Sequence, residues 1–118
     1  MPFDWREYLR LAGFLQTGVG PFDQEAAWRS AVSRAYYAAF CRVRNFARDH
    51  QGFVPQGTAD DHRGLRDHLR RQNQGRLAQQ LGQLRQWRNV CDYEDDVANL
   101  QLTVGSSTVT ARDILNRF

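Results

Sequence analysis

Apolar residues recur along most of this chain at three- and four-residue intervals, the spacing that gathers them on one side of a helix. Trp5, Tyr8, Leu9, Ala12 and Leu15 share one face between Asp4 and Gln16, which predicts an amphipathic first helix. Thr17-Gly18-Val19-Gly20-Pro21 ends it, and Asp23 is placed to cap a second helix running to about His50. The apolar stripe of that helix is Trp28, Val32, Tyr36, Ala39, Phe40, Val43 and Phe46. Ala31 and Ala35 widen it, and their small side chains let neighbouring helices come close. Gln51 to Thr58, with Gly52, Pro55 and Gly57, reads as a loop. A short third helix then starts at Asp60 or Asp61 and carries His62, Leu65 and Leu69 on one face. After a turn at Gln72-Asn73-Gln74-Gly75, a fourth helix runs from Arg76 to about Asp92. From Glu94 to Ser107 the pattern fades, and Leu100 to Val104 reads as briefly extended. Thr110-Ala111-Arg112-Asp113 resembles a capping box that opens a last helix through Ile114, Leu115 and Phe118. The expected architecture is all-α: one up-and-down bundle of four to five helices, a single domain over residues 1–118.

One polar residue breaks the pattern. Leu77, Leu81, Leu84, Trp87 and Cys91 fall on one arc of the fourth helix, and Arg88 lies inside that arc. An unpaired charge away from water is expensive, so Arg88 needs a partner or serves a site. Asp92, four residues on, is within reach of it.

Composition adds two facts and excludes several classes. No apolar run approaches the roughly 20 residues that span a membrane, and the N-terminal residues mix charges of both signs without the apolar core of a signal peptide. A cytoplasmic location is the expectation. Cys41 and Cys91 fit no zinc spacing and are expected to stay reduced, so neither a metal nor another cofactor is called for. All 16 basic residues are arginine. Codon bias in a GC-rich genome accounts for that, but guanidinium forks also bind phosphate bidentately. Between Gln24 and Cys91 there are 12 arginines against 5 acidic residues, and an acidic cluster, Asp92, Glu94, Asp95 and Asp96, follows directly. The middle of the chain is therefore basic enough to meet RNA, a nucleotide or an acidic protein.

Opposite the apolar stripe of the second helix lie Ser33, Arg34, Tyr37, Cys41, Arg44 and Arg48. A plain solvated face is one reading. Arginines interleaved with an aromatic ring, as in Arg34, Tyr37, Arg44 and Arg48, also suit a nucleic-acid or protein contact surface. Arg42 sits inside the apolar arc and is expected to snorkel past the core or to pair with an acid from another helix.

Three segments together, Ser30-Ala31-Val32-Ser33-Arg34-Ala35-Tyr36-Tyr37-Ala38-Ala39-Phe40, His62 with Gly64-Leu65, and Arg88-Asn89-Val90-Cys91-Asp92-Tyr93, resemble the HEPN superfamily. The likeness is to its small stand-alone prokaryotic branch, whose signatures read S-R-x-Y-Y-A-x-F and R-N-x-A-D-Y, and it covers roughly Trp5 to Ile114. It implies a helical bundle that forms a homodimer, with the last motif of each subunit lining a shared cleft. It also implies either a metal-independent RNase, often a toxin, or a partner of a minimal nucleotidyltransferase that acts as antitoxin. In such RNases an R-x(4–6)-H motif supplies an arginine for the phosphate and a histidine for the 2′-hydroxyl proton.

At that point the chain departs from the pattern. Five residues beyond Arg88 stands Tyr93, where catalytic members carry histidine. A phenol with an ordinary pKa near 10 is a poor base at neutral pH but a good stacking platform. The resemblance thus favours binding of nucleotide, RNA or a nucleotidyltransferase partner: Arg88 grips phosphate or Asp92, Asn89 orients Arg88, Tyr93 lines the cleft, and Arg34 and Tyr37 border it or serve the dimer face. Cleavage by Arg88 with Asp92, Tyr93 or a histidine from elsewhere is the alternative, and a purely structural or regulatory subunit is a third. Arg63 to His68 and Arg44 to His50 also match R-x(4–5)-H, as chance allows in so arginine-rich a chain, and His62 reads as a hydrogen-bonded residue at a helix start.

Overall fold

In the computed structural model, which describes residues 2–118, five helices follow in order: α1, Arg6–Gln16; α2, Gln24–His50; α3, Asp60–Arg71; α4, Gly75–Tyr93; and α5, Leu100–Leu115. The 27-residue α2 is the centre, touching each of the other four, with α1, α5 and α4 packed along it and α3 reaching it at one end. Its sequence permits this. Ala31, Ala35, Ala38, Ala39 and Ala47 are all fully buried, so backbones on several sides approach without a large side chain between them. Around them Val32, Tyr36, Val43, Leu65, Leu69, Leu81, Leu84 and Ile114 close the core.

Local chemistry sets the ends. The Asp23 carboxylate accepts from the Ala26 N–H at 3.0 Å and caps α2. Trp28 Nε1 donates to the Gln16 carbonyl at 2.9 Å, tying the start of α2 to the end of α1. Between them Gly18 takes φ +69°, a left-handed conformation in which an added Cβ would also meet Gln24 Nε2 at 2.9 Å. Asp61 is buried and caps the loop before α3: its two carboxylate oxygens accept from the N–H groups of Gln56 and Gly57 at 2.8 and 2.9 Å.

The C-terminal third departs from expectation. Leu100 to Val104 is helical, not extended, and Thr110 to Asp113 lies inside α5 and opens nothing. The helix begins after Asn99, which sits in the left-handed region at φ 56°, ψ 39°. Val, Thr and Ser weaken the local helical signal, yet Leu100, Val104, Ser107, Thr108, Ala111, Ile114 and Leu115 fall on one buried stripe against α2. Burial decides, and the small hydroxyls fit because Thr108 Oγ1 turns back to the Val104 carbonyl at 3.0 Å.

The face of α2 carrying Ser33, Tyr37 and Cys41 is also not a solvated one. Ser33 and Cys41 are buried and Tyr37 packs on the core. Arg42, expected to snorkel past the core or to pair with an acid, carries its guanidinium out to Phe118 O, to which it donates at 3.0 Å. Cys41 and Cys91 are both free and buried, and burial pushes both thiols up, so neither is an available nucleophile. Among the described residues no helix is long and apolar enough to cross a membrane, and no three His, Cys, Asp or Glu side chains gather as a metal site.

The alanine surface of α2 gives a direct test. Ala35→Leu adds a branched side chain where α2 has no exposed surface, and should lower stability by about 1–3 kcal/mol, read as a fall in the urea midpoint without loss of helicity.

Candidate functional site

Arg88 is where its place in the apolar arc puts it, near the end of α4 between buried Leu84 and Cys91. Its side chain is only 15% exposed, and Nε lies 2.9 Å from Asp92 Oδ2. The Nε–H does not point along that line, so charge holds the pair more than a formed hydrogen bond does. A terminal nitrogen donates to Asn89 Oδ1 at 2.9 Å, which fixes the fork. Two aromatic rings flank the guanidinium, Tyr37 from α2 with its centroid 5.2 Å away and Tyr93 at 5.7 Å. Tyr93 itself is 73% exposed.

These groups form one wall of a cleft of about 720 Å³ between α2, α3 and α4. Arg85, one turn before Arg88 on α4, joins that wall, and the opposite wall is made of residues that spacing does not connect to it, His62 and Arg66 from α3. Arg66 crosses α4 at Gly82, passing 3.5 Å from where a Cβ would stand, and donates to the His62 carbonyl at 3.0 Å. Arg85 has no carboxylate partner among the described residues, and its Nε is buried without an acceptor. Three guanidinia thus surround one imidazole. The Glu94 carboxylate stands exposed at the rim.

His62 is the hydrogen-bonded residue expected at the start of α3, and it is also part of the cleft. Its Nδ1 makes a short hydrogen bond to the Tyr36 hydroxyl. The ring is wedged beside Phe40, centroid to centroid 4.4 Å, and close to Tyr36 and Tyr37. Burial first, then the charges of Arg85, Arg88 and Arg66, hold its pKa down from 6.5 to about 4; Asp61 opposes weakly. Tyr36, buried beneath it, is pushed well above the ordinary phenol range by desolvation. Burial and the nearby Arg85 lower Arg66 as well.

The remaining sequence candidates divide. On the other side of Tyr37 and Arg88 a second groove holds Trp5, Tyr8, Arg34 and Asp92. Arg34 lies over the Tyr8 ring at 4.7 Å and the Tyr37 ring at 5.4 Å. Arg44 lies over Trp5 at 5.7 Å. Arg48 stands apart: it pairs with its neighbour Asp49 at 2.9 Å and lines neither cavity. Of the arginine-and-aromatic face, only Arg34 and Tyr37 line these cavities; Arg44 is bonded to its neighbour Asn45 and, like Arg48, lines neither. Arg66 and Arg85 carry a faint sequence signal, since Arg85, Arg88 and Asn89 share a helical strip, as do His62 and Arg66.

Two outcomes check this geometry. Between pH 6.5 and 4 the unfolded chain protonates its His62 while the folded protein does not, so stability falls as pH drops through that window. His62→Gln should flatten that part of the stability-versus-pH curve, measured by denaturant titration from pH 7 to 4. Arg88→Ala leaves Asp92, itself 27% exposed, without its partner. It should cost about 1–2 kcal/mol by urea unfolding, less than the 3–5 kcal/mol of a fully buried pair.

Comparison of the chain with protein-family models, with curated proteins and with solved structures gives no match.

Proposed function

We propose that this protein is a HEPN-like module that binds the phosphate of a nucleotide or RNA in the cleft at Arg88, acting as a homodimer and in company with a minimal nucleotidyltransferase. The observation that carries the binding reading is the convergence of Arg66, Arg85 and Arg88 on one cavity in which only Arg88 has a carboxylate partner. Guanidinia brought together without acids repel one another, and a phosphate with several acceptor oxygens is the ligand that best relieves this. Tyr37 and the exposed Tyr93 add ring faces on which a base can stack. The dimer and the nucleotidyltransferase partner are carried by the resemblance of Ser30–Phe40 and Arg88–Tyr93 to the two family signatures.

Metal-independent RNA cleavage is the second reading, and one observation favours it: His62 shares the cleft with Arg88 although it belongs to no R-x(4–6)-H motif with it. Against it stand Tyr93 at the position of the motif histidine and a pKa for His62 near 4, far from the neutral value that suits a general base. Expression of the chain alone, followed by mapping of 2′,3′-cyclic phosphate ends on cellular RNA, separates the two. Ends that appear with the wild type and vanish with Arg88→Ala would support cleavage.

Binding is tested by titrating fluorescently labelled RNA oligonucleotides, and ATP, against wild type and Arg88→Ala. Loss of the Arg88 fork should weaken binding about tenfold or more, the worth of one charge-assisted bidentate contact. A wild type that binds neither ligand, or a variant that binds both equally well, would end the binding reading.

A further inference from the structure

The Tyr36–His62 hydrogen bond settles which imidazole nitrogen faces the cleft and in what form. Tyr36 is almost wholly buried, and His62 Nδ1 is the sole partner of its hydroxyl among the described residues. A buried hydroxyl that only accepted from Nδ1–H would leave its own proton without an acceptor. The satisfied arrangement has Tyr36 Oη–H donating to Nδ1, which places the ring proton on Nε2. Nε2, the ring nitrogen not bonded to Tyr36, has no protein partner among the described residues and belongs to a side chain that lines the cavity. His62 thereby presents an N–H to the cleft while staying uncharged.

Beside that N–H stand two guanidinia with capacity to spare. Arg66 uses one terminal nitrogen on the His62 carbonyl, and Arg85 is bonded to no protein acceptor. Of the acids nearby, Asp92 pairs with Arg88 and Asp61 holds the backbone of Gln56 and Gly57, while Glu94, exposed at the rim, pairs with neither Arg66 nor Arg85 among the described residues. Two unmatched positive charges and a neutral donor suit a group with two negative charges and three free oxygens. A terminal phosphate monoester is such a group; an internal phosphodiester offers one charge and two free oxygens.

We propose that His62, Arg66 and Arg85 form a subsite for a terminal phosphate, in which His62 is a neutral Nε2–H donor and Tyr36 is the positioning residue that sets its tautomer. This rests on the cleft being a phosphate site, and it places the monoester on the α3 side, with Arg88 and the tyrosines left for the rest of the ligand. It also assigns His62 a binding role and not that of a base. The low pKa follows from the same geometry, since burial first, and then the charges of Arg85, Arg88 and Arg66, disfavour a second ring proton.

Calorimetric titration of the full chain with AMP, adenosine and inorganic pyrophosphate tests the assignment. AMP should bind at least about tenfold more tightly than adenosine, and Arg66→Gln or Arg85→Gln should each weaken AMP and pyrophosphate about tenfold with adenosine unaffected. Glutamine places an amide nitrogen near the position of Nε2 and asparagine near that of Nδ1, so His62→Gln should stay within about threefold of wild type while His62→Asn loses about tenfold. Nitrogen-15 NMR of labelled histidine should show the Nε2–H tautomer in the wild type and a mixture in Tyr36→Phe. AMP binding that is lost in Arg88→Gln yet unchanged in Arg66→Gln and Arg85→Gln would overturn the subsite and leave the cleft reading standing. An Nδ1–H tautomer in the wild type would overturn the role given to His62. Absence of AMP and pyrophosphate binding by the wild type would remove both.

Discussion

A helix that touches all four others has little of its middle left for water, and most of this structure is a consequence of that constraint on α2. Burial selects alanine where backbones cross, and it sends several polar residues of α2 to partners in other elements. Arg29 reaches the end of α4 and donates to the carbonyls of Cys91, Glu94 and Asp95. Arg42 reaches the Phe118 carbonyl, and Tyr36 reaches His62. Arg34 and Arg44 turn onto the aromatic rings of α1. These contacts fix how α1, α3 and α4 stand around the centre.

The candidate site inherits its geometry from the same contacts. Arg29 satisfies carbonyls that the C-terminus of α4 would otherwise leave open, and so holds the last turn of α4, where Arg88, Asp92 and Tyr93 stand. Tyr36 and Phe40 hold His62 at the start of α3. Gly82 gives Arg66 a passage across α4. Tyr37 lies between the two cavities and touches the guanidinium of each, Arg34 on one side and Arg88 on the other. Movement of α2 by even part of a turn would separate all of these at once.

How much of this the chain states in advance differs from residue to residue. The first four helices follow from their apolar spacing, and Arg88 follows from its place in an apolar arc, because a helix converts sequence distance into angle. The Arg88–Asp92 contact is legible for the same reason. α5 is not: Val104, Ser107, Thr108 and Thr110 weaken the helical signal, and only the surface of α2 against which they pack decides the matter. Nor is the α3 wall of the cleft. His62 lies 26 residues from Arg88, and nothing local says that one turn of α3 faces one turn of α4. Arg48 shows the reverse error, since it shares the right helical face but is claimed by its sequence neighbour Asp49.

The charge pattern at the cleft links stability to chemistry. A core of this size gains nothing from three guanidinia and an uncharged histidine in one cavity; apolar side chains there would pack without repulsion or desolvation cost. Elsewhere in the chain several arginines stand within salt-bridge distance of acids, as Arg10 does with Glu7, Arg29 with Glu25 and Arg70 with Asp67. In the cleft, by contrast, Arg88 has Asp92 but Arg66 and Arg85 have no carboxylate within salt-bridge distance among the described residues. An arrangement that leaves Arg66 and Arg85 without carboxylate partners among the described residues, with the buried Tyr36 hydroxyl bonded to His62, is one that an anion bringing its own charge and acceptors would stabilise. Tyr93, at the mouth of the same cleft, leaves its ring face open to solvent.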